Sequence, residues 1–456
     1  MQPVLTRVAR TARSGLTACL AFAIALLPGT GASRAAPSLE RMIGQMIMVG
    51  FDGTNLGSRG VRRTIGQLRR GEIGGVILLR RNIASRASVR KVTDAFRRAA
   101  AHPPLIAVDQ EGGRVARLTP KVGFRRMPSH RSVARGYSPA EAQRLYFRVG
   151  RDLAKWGFNL NLGPVVDLDV NPRNPIIGRL GRSFSPDAVT ATTFARAFVR
   201  GHRSAGVLTA LKHFPGHGSS TRDSHLGAVD VSRTWSMEEL RPYADLVATR
   251  EVDIVMTGHL LNTQLTGKRA RLPATLSRDM IDGILRDRIG FDGVVMADDL
   301  QMRAITKRHD DRSAALAAVR AGVDILLYSN DKRVDPRLVG RVTRHIAASA
   351  RKSRVMRSRI REAYRRIVTL KRSLGTRRAA LGAEQDPDRM PLPDDRSEQA
   401  IVVTPRTKPI PAVRQAGGAA RMDDPATEPT HEAPPAVLTP GVVESTDRPD
   451  ALELPD

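Results

Sequence analysis

The feature that most constrains the fold of this chain is a repeated alternation of two hydrophobic patterns. Eight short apolar runs, rich in β-branched residues, alternate with longer stretches of helical periodicity. Parallel strands joined by helices give this alternation, because each connecting helix packs back onto the sheet. Eight repeats predict an α/β fold, a (β/α)8 TIM barrel formed as a single domain.

The eight apolar runs are the predicted barrel strands. They are GQMIMVGF near Gly44, GGVILL near Gly74, PPLIAVD ending at Asp109, FNLNLGPVVDLD ending at Asp169, VLTALKHF ending at Phe214, VDIVMTGH ending at His259, GVVMADD ending at Asp299 and VDILLYS ending at Ser329. Helical stretches between them begin at Pro139, Asp187 and Ser236, with Ser or Asp in place to cap the first turn.

The two ends of the chain differ in kind from the middle. Residues 1–36 carry arginines, a short apolar run and then small residues, the layout of a cleaved signal peptide. The protein is therefore expected to be exported, with a periplasmic location. Residues 37–375 form the predicted catalytic domain, and residues 376–456 form a Pro-rich, acidic tail that is expected to be disordered.

The only cysteine, Cys19, lies inside the apolar run of the predicted signal peptide. A lipid-attachment cysteine follows its hydrophobic region, whereas most of this one comes after Cys19, so lipid attachment is the weaker interpretation. The exported protein would have no disulfide, and its stability must come from a sizeable core.

The chain is strongly basic, with 74 Lys and Arg against 45 Asp and Glu and a net charge of +29. Such charge attracts polyanions, but no recognition helix or aromatic stacking motif accompanies it, so nucleic acid is not an expected partner. An anionic cell-envelope surface fits an exported protein better. Nothing in the sequence requires a partner subunit, and a monomer is expected.

Polar side chains concentrate where the predicted strands end. Barrel enzymes keep their active sites at the carboxyl ends of their strands, so this placement favours an enzyme over a binding module. The residues are Asp109, Asp167, Asp169, Lys212, His213, His259, Asp298, Asp299 and Asn330.

The segment KHFPGHGSSTRDSH, which begins at Lys212, is the densest group of chemically active side chains. Its Gly and Ser residues predict a loop without a fixed shape. In an extended Asp-x-His the two side chains lie on the same side of the backbone, so Asp223 would orient the imidazole of His225 and stabilise its positive charge.

Two other interpretations of this segment stay open from the residues alone. His213, His217, Asp223 and His225 have side chains that suit zinc, but their spacing matches no zinc signature and Lys212 would place a cation beside the metal. The histidines would otherwise be structural. No metal and no cofactor is predicted.

Asp298, in VVMADDLQM, follows a buried strand that would hold it rigidly, as a nucleophile requires. Asp299 is an alternative on the sequence alone. Asp109, in DQEGGRVARL, precedes a Gly-Gly turn that lacks the lysine and spacing of a phosphate loop, so it is read as a turn that a substrate approaches closely.

Five motifs occur in one order between Leu39 and Lys371: DQEGGRVARL, GPVVDLD, the GRSF around Arg182, KHFPGHG with DSH, and ADDLQM. Together they resemble the bacterial exo-β-N-acetylglucosaminidases of glycoside hydrolase family 3, of the single-domain, peptidoglycan-recycling type. The resemblance implies a retaining β-N-acetylhexosaminidase that removes terminal GlcNAc from muropeptides or related oligosaccharides.

The resemblance also implies roles for individual residues. Asp298 would be the nucleophile, and His225 would be the general acid and base, paired with Asp223. The terminal sugar would be bound by Asp109, Arg117, Arg182, Lys212 and His213. The apparent signal peptide departs from these relatives, which are typically cytoplasmic.

Three alternatives remain. The first is a phosphorylase that transfers the sugar to phosphate, because a histidine that acts as acid and base repels the phosphate anion less than a carboxylate does. A broader β-glucosidase of the same family is the second. The third is a non-catalytic protein that binds cell-wall glycan, which the presence of both Asp298 and the Asp223 and His225 pair disfavours.

Overall fold

The structure, a computed structural model, describes residues 36–267 and 272–381. Residues 1–35 of the predicted signal peptide and the predicted tail from residue 382 onward lie outside the described residues. Among the described helices none is long and apolar enough to cross a membrane.

Eight parallel strands form one sheet that closes on itself. Within the sheet the cyclic strand order follows the order of the chain, and a parallel bridge between Met296 and Ile325 joins its two edges. The barrel strands are β1 (Ile47–Gly50), β2 (Gly75–Ile77), β3 (Leu105–Val108), β6 (Leu160–Asn161), β7 (Leu208–Phe214), β9 (Ile254–Thr257), β11 (Val294–Ala297) and β12 (Leu326–Tyr328). All eight predicted strands are present, and the TIM-barrel prediction is confirmed.

Two short strand pairs lie outside the barrel, on the segments that follow β3, β7 and β9. They are the antiparallel pair β4 (Gln110–Gly112) and β5 (Val115–Ala116), and the parallel pair β8 (Val229–Asp230) and β10 (Leu260–Leu261).

Helices connect the strands and cover the barrel. The α-helices are α1 (Leu39–Gln45), α2 (Arg59–Arg70), α3 (Arg86–Ala99), α4 (His130–Gly136), α5 (Pro139–Trp156), α6 (Ala188–Ser204), α7 (Arg241–Ala248), α8 (Thr263–Thr266), α9 (Arg303–Thr306), α10 (Asp311–Ala321), α11 (Leu338–Lys352) and α12 (Arg354–Leu381). Short 3-10 turns occupy Arg80–Asn82, Pro120–Val122, Met237–Leu240 and Ala274–Leu276, and Asp279–Arg288 is a π-helical segment.

Two of the three predicted helices begin with a side-chain cap. The side chain of Ser138 accepts from the backbone N–H of Glu141, and Glu141 accepts from the backbone N–H of Ser138, which satisfies two donors at the start of α5. Asp187 caps α6 in the same way through Thr190. The stretch from Ser236 begins as a 3-10 turn and becomes α7, and the expected cap is wrong here because the Ser236 side chain makes no capping hydrogen bond. These are the three helices that the sequence predicted.

The barrel strands are buried along their whole length, as expected for strands covered by helices outside and by one another inside. Val76, Ile106, Leu208, Ile254 and Val295 each expose 0 % of their surface. Burying a side chain of this size contributes roughly 1.5–3 kcal/mol, so the core alone holds the barrel without disulfides.

The last helix, α12, crosses the end of the barrel opposite to the strand carboxyl ends. Lys371 donates to the side chain of Gln45 at 2.7 Å and to the carbonyl of Gly74 at 2.6 Å, just before β1 and β2 begin. Arg359 and Arg366 reach the buried Asp324, just before β12. The helix continues to Leu381, beyond residue 376, where the sequence predicted the tail to begin.

Candidate active site

The polar residues picked out in the sequence lie at the carboxyl ends of the barrel strands. Asp109 directly follows β3, Lys212 and His213 lie near the end of β7, and Asp298 directly follows β11. Parallel strands in a closed barrel bring these ends to one rim. The barrel therefore gathers at a single face side chains that are far apart in the chain.

Four charged side chains at this rim form what we call the ionic cluster: Asp109, Glu111, Arg182 and Lys212. The ammonium of Lys212 lies 2.8 Å from Oδ1 of Asp109 and 2.6 Å from Oε1 of Glu111. Arg182 donates to both oxygens of Glu111, at 2.8 Å each. Two carboxylates face two cations, so the cluster is balanced in charge.

Glu111 and Lys212 are almost inaccessible to water, with side-chain exposures of 2 % and 4 %, while Asp109 is 18 % exposed. Burial by itself raises the pKa of Glu111, but the charges of Arg182 and Lys212 outweigh it and hold this pKa well below its usual range. Burial by itself lowers the pKa of Lys212, yet Asp109 and Glu111 raise it overall. Glu111 and Lys212 thus keep the charges that form strong hydrogen bonds.

Arg117 lies beside the cluster, with Nη2 3.9 Å from Oδ2 of Asp109. Its buried Nε has no hydrogen-bond partner among the described residues. A buried donor without a partner is costly, and a ligand hydroxyl or carbonyl would satisfy it. The structure therefore places Arg117 beside Asp109.

Asp167 fixes the end of β7 and the start of the following loop. Its Oδ2 lies 2.7 Å from Nδ1 of His213, and its Oδ1 accepts from the backbone N–H groups of His213 and His217, at 3.0 and 2.8 Å. Nε2 of His213 faces Nη2 of Arg182 at 3.5 Å. One buried carboxylate thus links His213 to the loop that follows it.

The Gly- and Ser-rich turn at residues 216–220 is buried, not loosely held. Gly218 donates to Oε2 of Glu239 at 2.9 Å, while Asn174 donates to the carbonyls of His217 and Gly218 at 2.7 and 3.0 Å. A Cβ at Gly218 would lie 1.8 Å from the carbonyl oxygen of Leu168. The prediction of a loop without a fixed shape is therefore wrong for this turn, because polar side chains from other elements anchor its backbone.

Beyond this anchored turn, the loop carries Asp223 and His225 outward. Nδ1 of His225 lies 2.7 Å from Oδ1 of Asp223, which also accepts from the backbone N–H of His225 at 2.8 Å. The pairing agrees with the sequence prediction, but the backbone is a turn and not extended. An aspartate often bonds the N–H two residues on in this way.

The His225 side chain is 54 % exposed and that of Asp223 is 15 % exposed. Desolvation alone lowers the pKa of His225, but the hydrogen bond to Asp223 and the charges of Asp223 and Asp298 raise it above its ordinary value. No described residue hydrogen-bonds to Nε2, so this nitrogen is open to a ligand while Nδ1 is held. A protonated imidazole with one nitrogen available suits a general acid.

The two adjacent aspartates after β11 differ in their surroundings. Asp298 accepts at Oδ1 from the backbone N–H of Asp299 at 2.8 Å, and no described donor reaches its Oδ2. Asp299 is bound at both oxygens, by the backbone N–H groups of Gln301 and Ser329 and by the hydroxyl of Ser329. Only Asp298 has a carboxylate oxygen left for a ligand.

The pKa values of Asp298 and Asp299 also differ. Burial raises the pKa of Asp298, but the imidazoles of His213, His259 and His225 outweigh it and bring the pKa to about 2. Burial raises the pKa of Asp299 to about 6, and the charge of Asp298 adds to this. Asp298 is thus fully ionised at neutral pH and Asp299 is nearly so.

His259 completes the rim near Asp298. Nδ1 lies 2.8 Å from the Thr275 hydroxyl and Nε2 lies 2.9 Å from the carbonyl oxygen of Asp299. Because a carbonyl only accepts, Nε2 donates the proton, and Nδ1 accepts from Thr275. Burial lowers the pKa of His259, in keeping with this neutral form.

Within the described residues, no group of three or more His, Cys, Asp and Glu side chains is arranged to hold a metal ion. His213 and His217, two residues of the zinc alternative, use ring nitrogens for Asp167, Ser220 and Ser224.

Three residues of the site received no role in the sequence analysis. Glu111 was passed over although it stands two residues after Asp109, where alternation in a strand places both side chains on one face. Asp167 was noted only for its position at a strand end. Glu239 lies on the 3-10 turn that precedes α7, beyond β8, and no local signal connects it to Gly218.

Comparison with known proteins gives consistent matches. Residues 38–370 match the Glycosyl hydrolase family 3 N terminal domain. The chain is 38 % identical over 272 residues to a Pseudomonas aeruginosa beta-hexosaminidase, covering 58 % of this chain and 77 % of that protein.

Two solved structures resemble the barrel. The first is a family 3 beta-N-acetylglucosaminidase from Paenibacillus sp. strain FPU-7, with a TM-score of 0.67 and 33 % identity over 79 % of this chain. The chain spans 65 % of that protein, just under two thirds. The second is a beta-N-acetylhexosaminidase from Beutenbergia cavernae, with a TM-score of 0.66 and 32 % identity, covering 74 % of this chain and 99 % of the other.

Proposed function

The chain belongs to glycosyl hydrolase family 3, and from that premise we propose that this glycoside hydrolase is a retaining exo-β-N-acetylglucosaminidase. Its proposed substrates are peptidoglycan-derived muropeptides or related oligosaccharides that end in a β-linked GlcNAc. The names of the Pseudomonas and Paenibacillus relatives support the acetamido sugar. Export to the periplasm is part of the proposal and depends on residues 1–36.

One observation carries the proposal: an ionised carboxylate with an open oxygen and an imidazole whose pKa is raised lie on segments that start from the same rim. Asp298 and His225 each shift the pKa of the other through their charges, which supports a common site. A retaining glycosidase needs one group to attack the anomeric carbon and another to protonate the leaving oxygen. Asp298 suits the first task and His225 suits the second.

In the proposed first step, Oδ2 of Asp298 bonds to the anomeric carbon while the bond to the leaving oxygen breaks. The leaving oxygen takes the proton from Nε2 of His225. In the second step Nε2 takes a proton from water, the water oxygen bonds to the anomeric carbon, and the ester to Asp298 breaks. Asp223 holds Nδ1 throughout and stabilises the imidazolium before the first step and after the second.

The ionic cluster would bind the terminal sugar. Asp109 offers carboxylate oxygens that accept from hydroxyls, while Lys212 and Arg117 donate. Charged partners of this kind form stronger hydrogen bonds than neutral ones. Because Arg182 is bound to both oxygens of Glu111, its main contribution is to fix Glu111 and, through it, Lys212.

The test is release of 4-nitrophenol from its β-N-acetylglucosaminide and from the matching β-glucoside, by the wild type and by Asp298→Ala. We expect cleavage of the acetamido sugar and its loss in Asp298→Ala. Equal cleavage of both sugars would favour the broader β-glucosidase. Absence of cleavage with and without phosphate would contradict the proposal and favour a glycan-binding protein.

Product analysis in phosphate buffer separates hydrolysis from phosphorolysis. Free GlcNAc as the sole sugar product supports the hydrolase. Accumulation of GlcNAc 1-phosphate would show that phosphate, not water, attacks the glycosyl-enzyme.

A further inference from the structure

We propose that the acidic tail of this chain docks on a line of arginines along the outer face of α12. This inference goes beyond the proposed glycosidase function and does not rest on it, because α12 crosses the end of the barrel opposite to Asp298. The docking surface, which we call the arginine stripe, consists of Arg354, Arg361, Arg365 and Arg372. The proposed occupant is the segment formed by residues 444–456.

The arginine stripe runs along one side of α12. Its members are separated by seven, four and seven positions, so in a helix of 3.6 residues per turn they lie within about 40° of one another around the axis. They extend over about 27 Å along that axis. All four are exposed, whereas Ile360, Ala363 and Ile367 on the opposite side are buried. The stripe is therefore the solvent face of the helix.

No described carboxylate forms an ion pair with a member of the arginine stripe. The single acidic residue of α12, Glu362, lies to one side, with Oε2 3.9 Å from Nη1 of Arg359 and Oε1 accepting from the Ser358 hydroxyl at 3.2 Å. Arg361 and Arg365 are one helical turn apart, where like charges destabilise a helix. An anion that lies along the stripe would remove this repulsion.

The tail that follows α12 carries the opposite charge. It lies outside the described residues, and its sequence from residue 423 to residue 456 has nine Asp and Glu against one Arg and no Lys. Five of these acidic residues recur at every third position: Glu444, Asp447, Asp450, Glu453 and Asp456. Charge complementarity therefore singles out this part of the tail as the occupant of the stripe.

The spacing of the acidic residues matches the stripe when the segment binds as a polyproline helix. That helix has three residues per turn and is favoured by proline, which occurs here at Pro449 and Pro455. Every third side chain then lies on one side, and four successive carboxylates extend over about 28 Å, against about 27 Å for the four arginines. In a β-strand the same carboxylates would alternate between two faces.

The connection to α12 is long enough for this docking. Residues 382–443 separate Leu381 from the segment, and a flexible chain of that length has a root-mean-square span of roughly 45 Å. The distance along α12 from Leu381 back to Arg354 is about 40 Å. Exposed ion pairs are individually weak, but covalent attachment gives the segment an effective concentration on the order of a millimolar, so several pairs can form together.

Docking would give the tail a role in partner choice. The sequence predicts attraction of this basic protein to an anionic cell-envelope surface. A tail that covers the arginine stripe competes with such a surface for the same guanidinium groups. The tail would therefore weaken binding to other polyanions until they displace it.

The test is energy transfer between two dyes on the full chain that carries Cys19→Ser, Thr369→Cys and Thr446→Cys. Thr369 is exposed on the same face as the arginine stripe, and Thr446 belongs to the acidic segment. We expect high transfer at low salt and a fall of about twofold or more in high salt, because screening weakens the ion pairs. A free acidic tail would instead expand at low salt through its own repulsion, which lowers transfer.

The surface control compares two double substitutions of equal charge in the labelled chain. Arg361→Glu/Arg365→Glu should reduce transfer at low salt to the value seen in high salt. Arg59→Glu/Arg69→Glu, at exposed positions of α2, should leave it unchanged. Equal transfer in the two variants would overturn the inference, because the tail would then respond only to net charge.

The tail control measures binding to vesicles that contain anionic lipid, without dyes. Asp447→Asn/Asp450→Asn/Glu453→Gln should raise the affinity about tenfold by uncovering the stripe, whereas Asp423→Asn/Asp424→Asn/Glu428→Gln, which removes the same charge, should change it by about twofold or less. Equal gains in both variants would overturn the docking of residues 444–456. Low dye transfer at every salt concentration, with vesicle binding lost in Arg361→Glu/Arg365→Glu, would also overturn it and assign the stripe to an external polyanion.

Discussion

The ionic cluster and the loop that carries Asp223 and His225 stand at the same rim but in opposite environments. In the cluster, Glu111 is 2 % exposed and each of its oxygens faces a cation. In the loop, His225 is 54 % exposed and is held through one ring nitrogen. Charges that hold a sugar gain strength without water, whereas a group that gives and takes protons needs access to a leaving oxygen and to water.

The two regions are connected at the base of the loop, the buried turn at residues 216–220, which we call the loop root. Asp167 holds the backbone at His213 and His217, and Glu239 holds it at Gly218. The exposed pair therefore extends from a turn as well buried as the ionic cluster. The hydrogen bonds of the loop root fix the position of the loop, and only its tip is exposed to solvent.

The largest effect is expected from Glu111→Gln. The change leaves Lys212 and Arg182 buried with too little negative charge, so the free energy of unfolding should fall by about 3–5 kcal/mol, with loss of most activity. Denaturant unfolding and kcat/KM measure both. The control Glu72→Gln removes an exposed partner of Arg70 and should cost about 1 kcal/mol or less. Similar losses in both variants would remove the contrast between cluster and surface.

His225→Ala should give the reverse pattern. We expect kcat on substrates with poor leaving groups to fall about 10²–10⁴-fold, because general acid and base assistance is lost. The melting temperature should stay near that of the wild type, since the side chain is half exposed. A large drop in melting temperature would show that the loop tip, like the cluster, supports the fold.

Asp223→Asn sharpens the electrostatic side of the comparison. The carboxylate raises the pKa of His225, so its removal lowers that pKa. A general acid acts while protonated, and the rate falls as pH rises through its pKa. The alkaline limb of the kcat/KM profile should therefore move to lower pH, with a loss of about tenfold at neutral pH. An unmoved limb would mean that another group sets it.

The smallest effect is expected from Glu239→Gln at the loop root. Burial raises the pKa of Glu239 to about 7, with Asp167 adding to the rise. A carboxyl with a raised folded pKa loses stability as pH rises from its unfolded value near 4.5 to about 7. The neutral variant avoids this loss, so the melting temperature of the variant minus that of the wild type should increase between pH 5 and pH 7. A difference that decreases over this range would contradict the raised pKa of Glu239.

Periodicity and strand ends predicted the barrel, the three helices and the positions of Asp109, Lys212 and Asp298, because these depend on local pattern. The Asp-x-His spacing predicted the pair but not its turn, since one aspartate oxygen also takes a backbone N–H. The buried turn at 216–220 was not predictable from its Gly and Ser residues. Its anchors, Asn174 and Glu239, come from distant parts of the chain, as does the Arg182 that fixes Glu111.

The central claim is that a rigid Asp298 makes the covalent bond while the exposed His225 moves the protons. It is tested most directly by the intact mass of His225→Ala after mixing with 4-nitrophenyl β-N-acetylglucosaminide. The 4-nitrophenolate leaving group needs little protonation, whereas the attack of water still needs the base. We therefore expect the intact mass to show one added GlcNAc unit, and digestion to place it on the peptide that contains Asp298. An adduct on Asp299 or another residue, or steady turnover without an adduct, would contradict it.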